Sequence, residues 1–152
     1  MRTTRCLALA GLLLGAAASP SAWAQFAKAE DAVRYRQSAW FVLNTHFTRI
    51  GTMVRGRLPF DARMAERDAE VVSMLARLPA QAFAAGTDGA GSHARPEVWT
   101  EQARFREMNE RMVAETGRLA AAARTQNLDQ LKAAYGAASN TCKECHDAYR
   151  SQ

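Results

Sequence analysis

Cysteine is scarce in this chain, with only Cys6, Cys142 and Cys145 among 152 residues. Cys6 lies in a leader-like segment and the other two are three apart, so no disulfide framework is available. Long apolar runs are also lacking. The longest, Cys6 to Ala18, is too short for a comfortable membrane span, and no other stretch qualifies. Histidine is limited to His46, His93 and His146. That leaves few partners for a structural zinc, which needs four ligands, and His46 and His93 show no paired-ligand spacing. Charge of a single sign is missing too: 20 basic residues face 15 acidic ones without clustering, which argues against a nucleic-acid partner. No Ser/His/Asp arrangement is legible, so the chain is expected not to be an enzyme. Proline is absent between Pro20 and Pro59 and again after Pro96, which leaves room for long helices.

The first 24 residues read as an export leader. Arg2 and Arg5 form a positive start, Leu7, Leu9, Leu12, Leu13 and Leu14 build the apolar centre, and Ala22-Trp23-Ala24 is a small-x-small cleavage site before Gln25. Residues 1–24 are therefore expected to be a signal peptide and 25–152 one domain, located in the periplasm. The formal charge of +5 falls by two when Arg2 and Arg5 leave with the leader.

Against these absences one cluster stands out: Cys142-Lys143-Glu144-Cys145-His146. Two thiols three apart with an imidazole directly after the second is the attachment pattern of a c-type haem. Each sulfur adds to one vinyl group, and the histidine supplies an axial nitrogen to the iron. In a helix, Cys142 and His146 share a face, with Cys145 beside them. Two other readings remain, a zinc site and a thioredoxin-like dithiol. The first lacks ligands and the second expects a βαβ context that this chain does not show.

The rest of the chain reads as helix. Ala29, Val33, Trp40, Leu43, Phe47, Ile50 and Val54 recur at helical spacing, predicting a helix from Ala29 to about Arg55. Arg36 interrupts that apolar seam. It is either an arginine whose head snorkels to water or, if haem is present, a partner for a haem carboxylate, which a guanidinium matches with two parallel hydrogen bonds. A turn at Gly56–Phe60 leads to a helix capped by Asp61 and ended by Pro79, with Met64, Val71, Met74, Leu75 and Leu78 as its apolar face. Residues 84–95, with Gly86, Gly89 and Gly91, form a loop in which His93 is expected to be solvent-exposed. A third helix starts at Pro96, or after a Thr100 cap, and carries Phe105, Met108, Met112, Thr116, Leu119 and Ala122 inward. The fourth starts at Asn127 or Asp129 with the seam Leu128, Leu131, Tyr135, Ala138, Cys142, Cys145 and Tyr149. Both motif sulfurs thus fall on the core-facing stripe. The expected fold is all-α: an antiparallel four-helix bundle with covalently bound haem.

The domain resembles the cytochromes c prime, small exported four-helix haemoproteins. The resemblance rests on Gln25-Phe26-Ala27-Lys28, Glu30-Asp31-Ala32-Val33, Tyr35-Arg36-Gln37-Ser38, Ala94-Arg95-Pro96-Glu97 and Cys142 to Arg150. It implies one haem c per chain, thioethers from Cys142 and Cys145, ligation by His146, and propionate contacts from Arg36 and Gln37. It also implies an empty sixth iron position that binds nitric oxide and carbon monoxide, with nitric oxide sequestration as the expected role and electron transfer to a periplasmic redox partner as the alternative. The residue inventory agrees with an open position. No Met occurs between Gln25 and Thr52, Met53 lies near the helix end, His46 is off the seam, and the Trp40 indole is donor-only.

Trp40 stands where relatives usually carry Leu or another side chain over the iron, and is either a space-filling core aromatic or a gate. The related Leu-Pro-Trp motif is Leu78-Pro79-Ala80 here, with Phe83 retained, so Trp40 is expected to refill volume lost at Ala80. Arg150, four residues after His146, is expected on the proximal side. There it either complements the helix dipole or, as the resemblance implies, flanks the site where nitric oxide displaces the histidine. Relatives form homodimers through their first two helices, and Phe41 and Val42 are placed to contribute.

Overall fold

The computed structural model describes residues 25–89 and 91–151; the leader predicted over 1–24 lies outside the described residues. Four long helices make the bundle: α1 (Ala29–Val54), α2 (Ala62–Leu75), α4 (Gln102–Arg124) and α5 (Leu128–Tyr149), with a single turn, α3 (Glu97–Thr100), ahead of α4. Tyr135 near the start of α5 packs at Gly51 near the end of α1, while Cys142 to Arg150 face Arg36 to Phe47, so α1 and α5 run antiparallel. A Cβ at Gly51 would collide with the Tyr135 hydroxyl, and the ring above it is stacked on Phe47 at 4.5 Å. Glycine here admits a rigid aromatic that closes the top of the core.

The helix ends follow from local chemistry. Asp61 accepts a bond from the Met64 amide at 2.9 Å, and Asn127 accepts from the Asp129 and Gln130 amides at 2.9 and 3.0 Å. α1 stops where Gly56 takes φ +71°, with Gly56 N–H bonded to Met53 O and Arg57 N–H to Thr52 O, a glycine-centred reversal that satisfies the last carbonyls.

Two elements differ from expectation. α2 ends at Leu75 instead of Leu78: Pro79 has no N–H to extend the ladder, so the chain tightens into i→i−3 bonds and a 3₁₀ turn over Pro79–Ala82. The predicted third helix is two pieces, broken at Glu101 with no side-chain cap from Thr100. The break frees the Glu101 carboxylate to accept from the Tyr149 hydroxyl at 3.1 Å, pinning α5.

The buried face of α2 is also rotated from the predicted one. Ala65, Asp68, Ala69, Val72 and the following Ala76 are buried, while Met74 is 63% exposed. Small residues let α2 approach α1 closely, and Asp68 spends its charge there. Arg49 donates from Nε to Asp68 Oδ2 at 2.6 Å and from Nη2 to Oδ1, and His46 Nδ1 lies 2.8 Å from Oδ1. Burial alone would raise the Asp68 pKa, but the bonds from Arg49 and His46 outweigh it, and the net direction is down. A carboxylate with a depressed folded pKa adds stability above its unfolded value of about 3.9 and loses it as pH falls through the folded value. Asp68→Asn is expected to cost about 1.5–3 kcal/mol at neutral pH, the worth of hydrogen bonds to a charged group. In urea unfolding the gap between parent and variant should shrink below about pH 4, and a gap independent of pH would mean the carboxylate charge contributes nothing.

Candidate haem-binding site

α5 delivers the motif. Its seam holds as expected, with Leu131, Ala138 and Tyr149 buried and Cys142 and Cys145 half-buried, both as free thiols. Cys142 packs against the main core beside Leu43, Phe47 and Leu131, whereas Cys145 packs against a second cluster built on Val98, Met108 and Tyr149. The motif therefore spans two apolar surfaces. Between it and α1 opens a cavity of about 470 Å³. Arg36, Gln37, Trp40, Phe83, Cys142, Cys145, His146 and Arg150, all eight residues singled out from the sequence, line it.

Burial raises the pKa of Cys142 and pushes that of Cys145 up to about 11, so both sulfurs are neutral thiols at neutral pH. His146 is shifted the other way, first by burial and then by the Arg150 charge. Its imidazole is therefore neutral near pH 7, the form that ligates a metal. Among the described residues no group of three or more His, Cys, Asp or Glu side chains comes together as a metal cage. His46 faces α2, held at Asp68, and does not line the cavity.

Arg36 is 3% exposed. Its Nη1 donates to Ala82 O at 2.8 Å and Thr87 Oγ1 at 3.1 Å, its Nη2 to Thr87 O and Ser92 Oγ, both at 2.7 Å. The guanidinium also lies over the Phe83 ring at 4.3 Å from its centroid. It does not snorkel; it ties the 82–92 loop to α1. Gln37 helps by donating to Gly91 O at 2.6 Å. Burial lowers the Arg36 pKa, with Asp88 opposing, yet among the described residues no carboxylate lies within salt-bridge distance. A buried cation without a counter-ion, lining a cavity with two free thiols and a neutral imidazole, suits a flat apolar group that carries carboxylates.

Trp99, Phe83, Phe105 and Tyr149 form a chain of rings with centroid separations of 6.0, 5.0 and 5.4 Å, tilted at the first contact and edge-to-face at the other two. Trp99, presented by α3, donates its indole N–H to Ala84 O at 3.0 Å and closes the loop from the other side. Sequence reasoning left several cavity residues out of the site: Asn44 and Asn109 carry no pattern, Met112 reads as core, and His93, exposed as expected, also lines the cavity. Ala80, by contrast, takes no part in the lining.

A family model described as Cytochrome C' matches residues 31–150. The chain belongs to the cytochrome c prime family. It is 44% identical over 128 residues to the cytochrome c' of Alcaligenes xylosoxydans xylosoxydans, covering 84% of this chain and 99% of that protein. The solved cytochrome c' of Rubrivivax gelatinosus superposes with a TM-score of 0.81 at 41% identity, covering 84% of this chain and 100% of the other. A nitric oxide complex of a leucine-to-alanine variant of the Alcaligenes xylosoxidans cytochrome c prime superposes at 0.79 with 43% identity, over 84% of this chain and 99% of that one. A carbon monoxide complex of a leucine-to-glycine variant of the same protein gives 0.78 and 43%, over 84% and 100%. Family membership makes the group that fits the cavity a covalently held c-type haem. In a cytochrome c prime, Cys142 and Cys145 would carry it and His146 would meet its iron.

Proposed function

We propose that this cytochrome c prime is a periplasmic gas-binding haemoprotein with one five-coordinate haem per chain, taking up nitric oxide and carbon monoxide and sequestering nitric oxide. Haem supplies the iron that accepts the gas. The observation that carries this reading is the composition of the α1 wall facing His146. It offers a guanidinium from Arg36, carboxamides from Gln37 and Asn44, an indole from Trp40, and the apolar Phe41, Leu43 and Phe47. None of these is a good iron ligand, and the apolar part of the wall tolerates a small neutral gas. The nitric oxide and carbon monoxide complexes of the Alcaligenes relative support the same ligand class. On the opposite wall burial, and after it the Arg150 charge, lower the pKa of His146, and this nearness of Arg150 fits a role beside the proximal ligand.

Binding without turnover is the proposed mode. Phe41 at 73% and Val42 at 41% exposure on α1, with Met74 at 63% on α2, supply apolar surface for a homodimer through these helices.

Visible spectra of the exported protein test the site: a ferric high-spin spectrum and ready uptake of carbon monoxide are expected. Met112→Leu should leave both unchanged, because the thioether serves the core. A low-spin spectrum in both oxidation states would favour electron transfer with a redox partner, and a shift from low to high spin in Met112→Leu would make Met112 the sixth ligand.

A further inference from the structure

We propose that His93 is an additional contact for the haem carboxylates, its ring N–H donating a hydrogen bond to a propionate at the mouth of the cavity. The inference rests on the haem placement proposed above and assigns a role to this chain's own loop. A loop histidine is ordinarily solvated and mobile, but this one is held on both flanks. Before it, Gly91 O accepts from Gln37 and Ser92 Oγ accepts from Arg36, tying the backbone to α1. At His93 itself, the carbonyl accepts from Ser151 N at 2.9 Å and from Ser151 Oγ at 3.0 Å. After it, Ala94 bridges Arg150, and Arg95 N donates to Tyr149 O at 2.9 Å, tying the backbone to the end of α5. The imidazole is thus carried on a fixed strap between the two helices that enclose the cavity.

The count of donors selects this ring. The thioether-forming groups and the carboxylates of haem lie at opposite edges of the macrocycle, so the carboxylates face away from Cys142 and Cys145. The polar residues that line the cavity as one linked group are Arg36, Gln37, Ser92 and His93. Arg36 has five N–H donors, and the four on Nη1 and Nη2 already reach the loop, leaving Nε–H. Gln37 spends one of its two amide hydrogens on Gly91 O. The Ser92 hydroxyl accepts from Arg36 and from Ala94 N and keeps its own hydrogen, so three donors remain for the four oxygens of two carboxylates. Among the described residues the His93 ring makes no hydrogen bond or ion pair, so it adds a fourth donor at that rim. Arg150 also lines the cavity, at the end of α5, the helix that carries Cys142, Cys145 and His146.

The test compares parent, His93→Ala and His93→Gln holoproteins by resonance Raman spectroscopy of the haem propionate bending bands, alongside spin state. One propionate band should move down in frequency in His93→Ala, as expected for a lost hydrogen bond, and return toward the parent position in His93→Gln, which keeps an N–H donor. The spin state should be the same in all three. Identical propionate bands throughout would overturn the proposal, as would a change of spin state in His93→Ala, which would make His93 an iron ligand. A parent protein without haem would instead fail the haem placement itself. The side chain is exposed, so neither substitution threatens the fold.

Discussion

Arg36→Ala is expected to lower stability by about 1.5–3 kcal/mol, a large share of the roughly 5–15 kcal/mol that holds a domain together. The truncation removes four hydrogen bonds at once and leaves the Thr87 carbonyl, whose one bond among the described residues comes from Arg36, without that donor in the interior. Ala82 O keeps only a long contact from Thr87 Oγ1 at 3.3 Å. An unsatisfied buried carbonyl costs about 1–3 kcal/mol, and loss of the cation over Phe83 adds to that. Lysine should rescue little, because one ammonium with three donors cannot span acceptors on three different loop residues. Urea unfolding gives the total, and amide hydrogen exchange locates it. Protection should fall first across residues 83–92, while α2 and α4 keep theirs until global unfolding. A loss under about 1 kcal/mol with normal loop protection would show that the loop is held by Gln37 and Trp99 alone.

The same residue shows how far the sequence could be read. A charged position on an apolar seam is conspicuous, so Arg36 was legible as an anomaly. What it touches was not, because its partners are backbone carbonyls and hydroxyls of a Gly-rich loop with no pattern of its own. The α5 seam and the Cys142–His146 spacing were legible because periodicity and motif agreed residue by residue. The Asp61 and Asn127 caps were legible because the chemistry is local. The α2 face was misread because large apolar side chains were counted, whereas close packing there rests on Ala65, Ala69 and Ala76, with Asp68 neutralised by residues one helix away. The break at Glu101 goes with a tertiary bond to Tyr149, which spacing cannot reveal. His93 is exposed as expected, and a Gly-rich stretch does not reveal the ties to α1 and to the end of α5 that also bring it to the cavity.

Trp40→Leu is expected to bind carbon monoxide faster and more tightly than the parent. Trp40 is half-buried, packs on the core around Leu43 and Phe47, and forms part of the α1 wall that faces His146 across the cavity. An indole is among the largest and least deformable side chains, so making room for a ligand beside it means moving the ring against a packed core. Overpacking of that kind costs about 1–3 kcal/mol, which corresponds to roughly five- to 150-fold in affinity. Leucine relieves the crowding while keeping the wall apolar, and phenylalanine, flatter and smaller, should fall between the two. The measurement is the rate and affinity of carbon monoxide for the three ferrous proteins side by side, with urea unfolding as a control for lost packing. The order Trp40→Leu, then Trp40→Phe, then parent makes the indole a steric gate. Equal rates and affinities would reduce Trp40 to a filler of space.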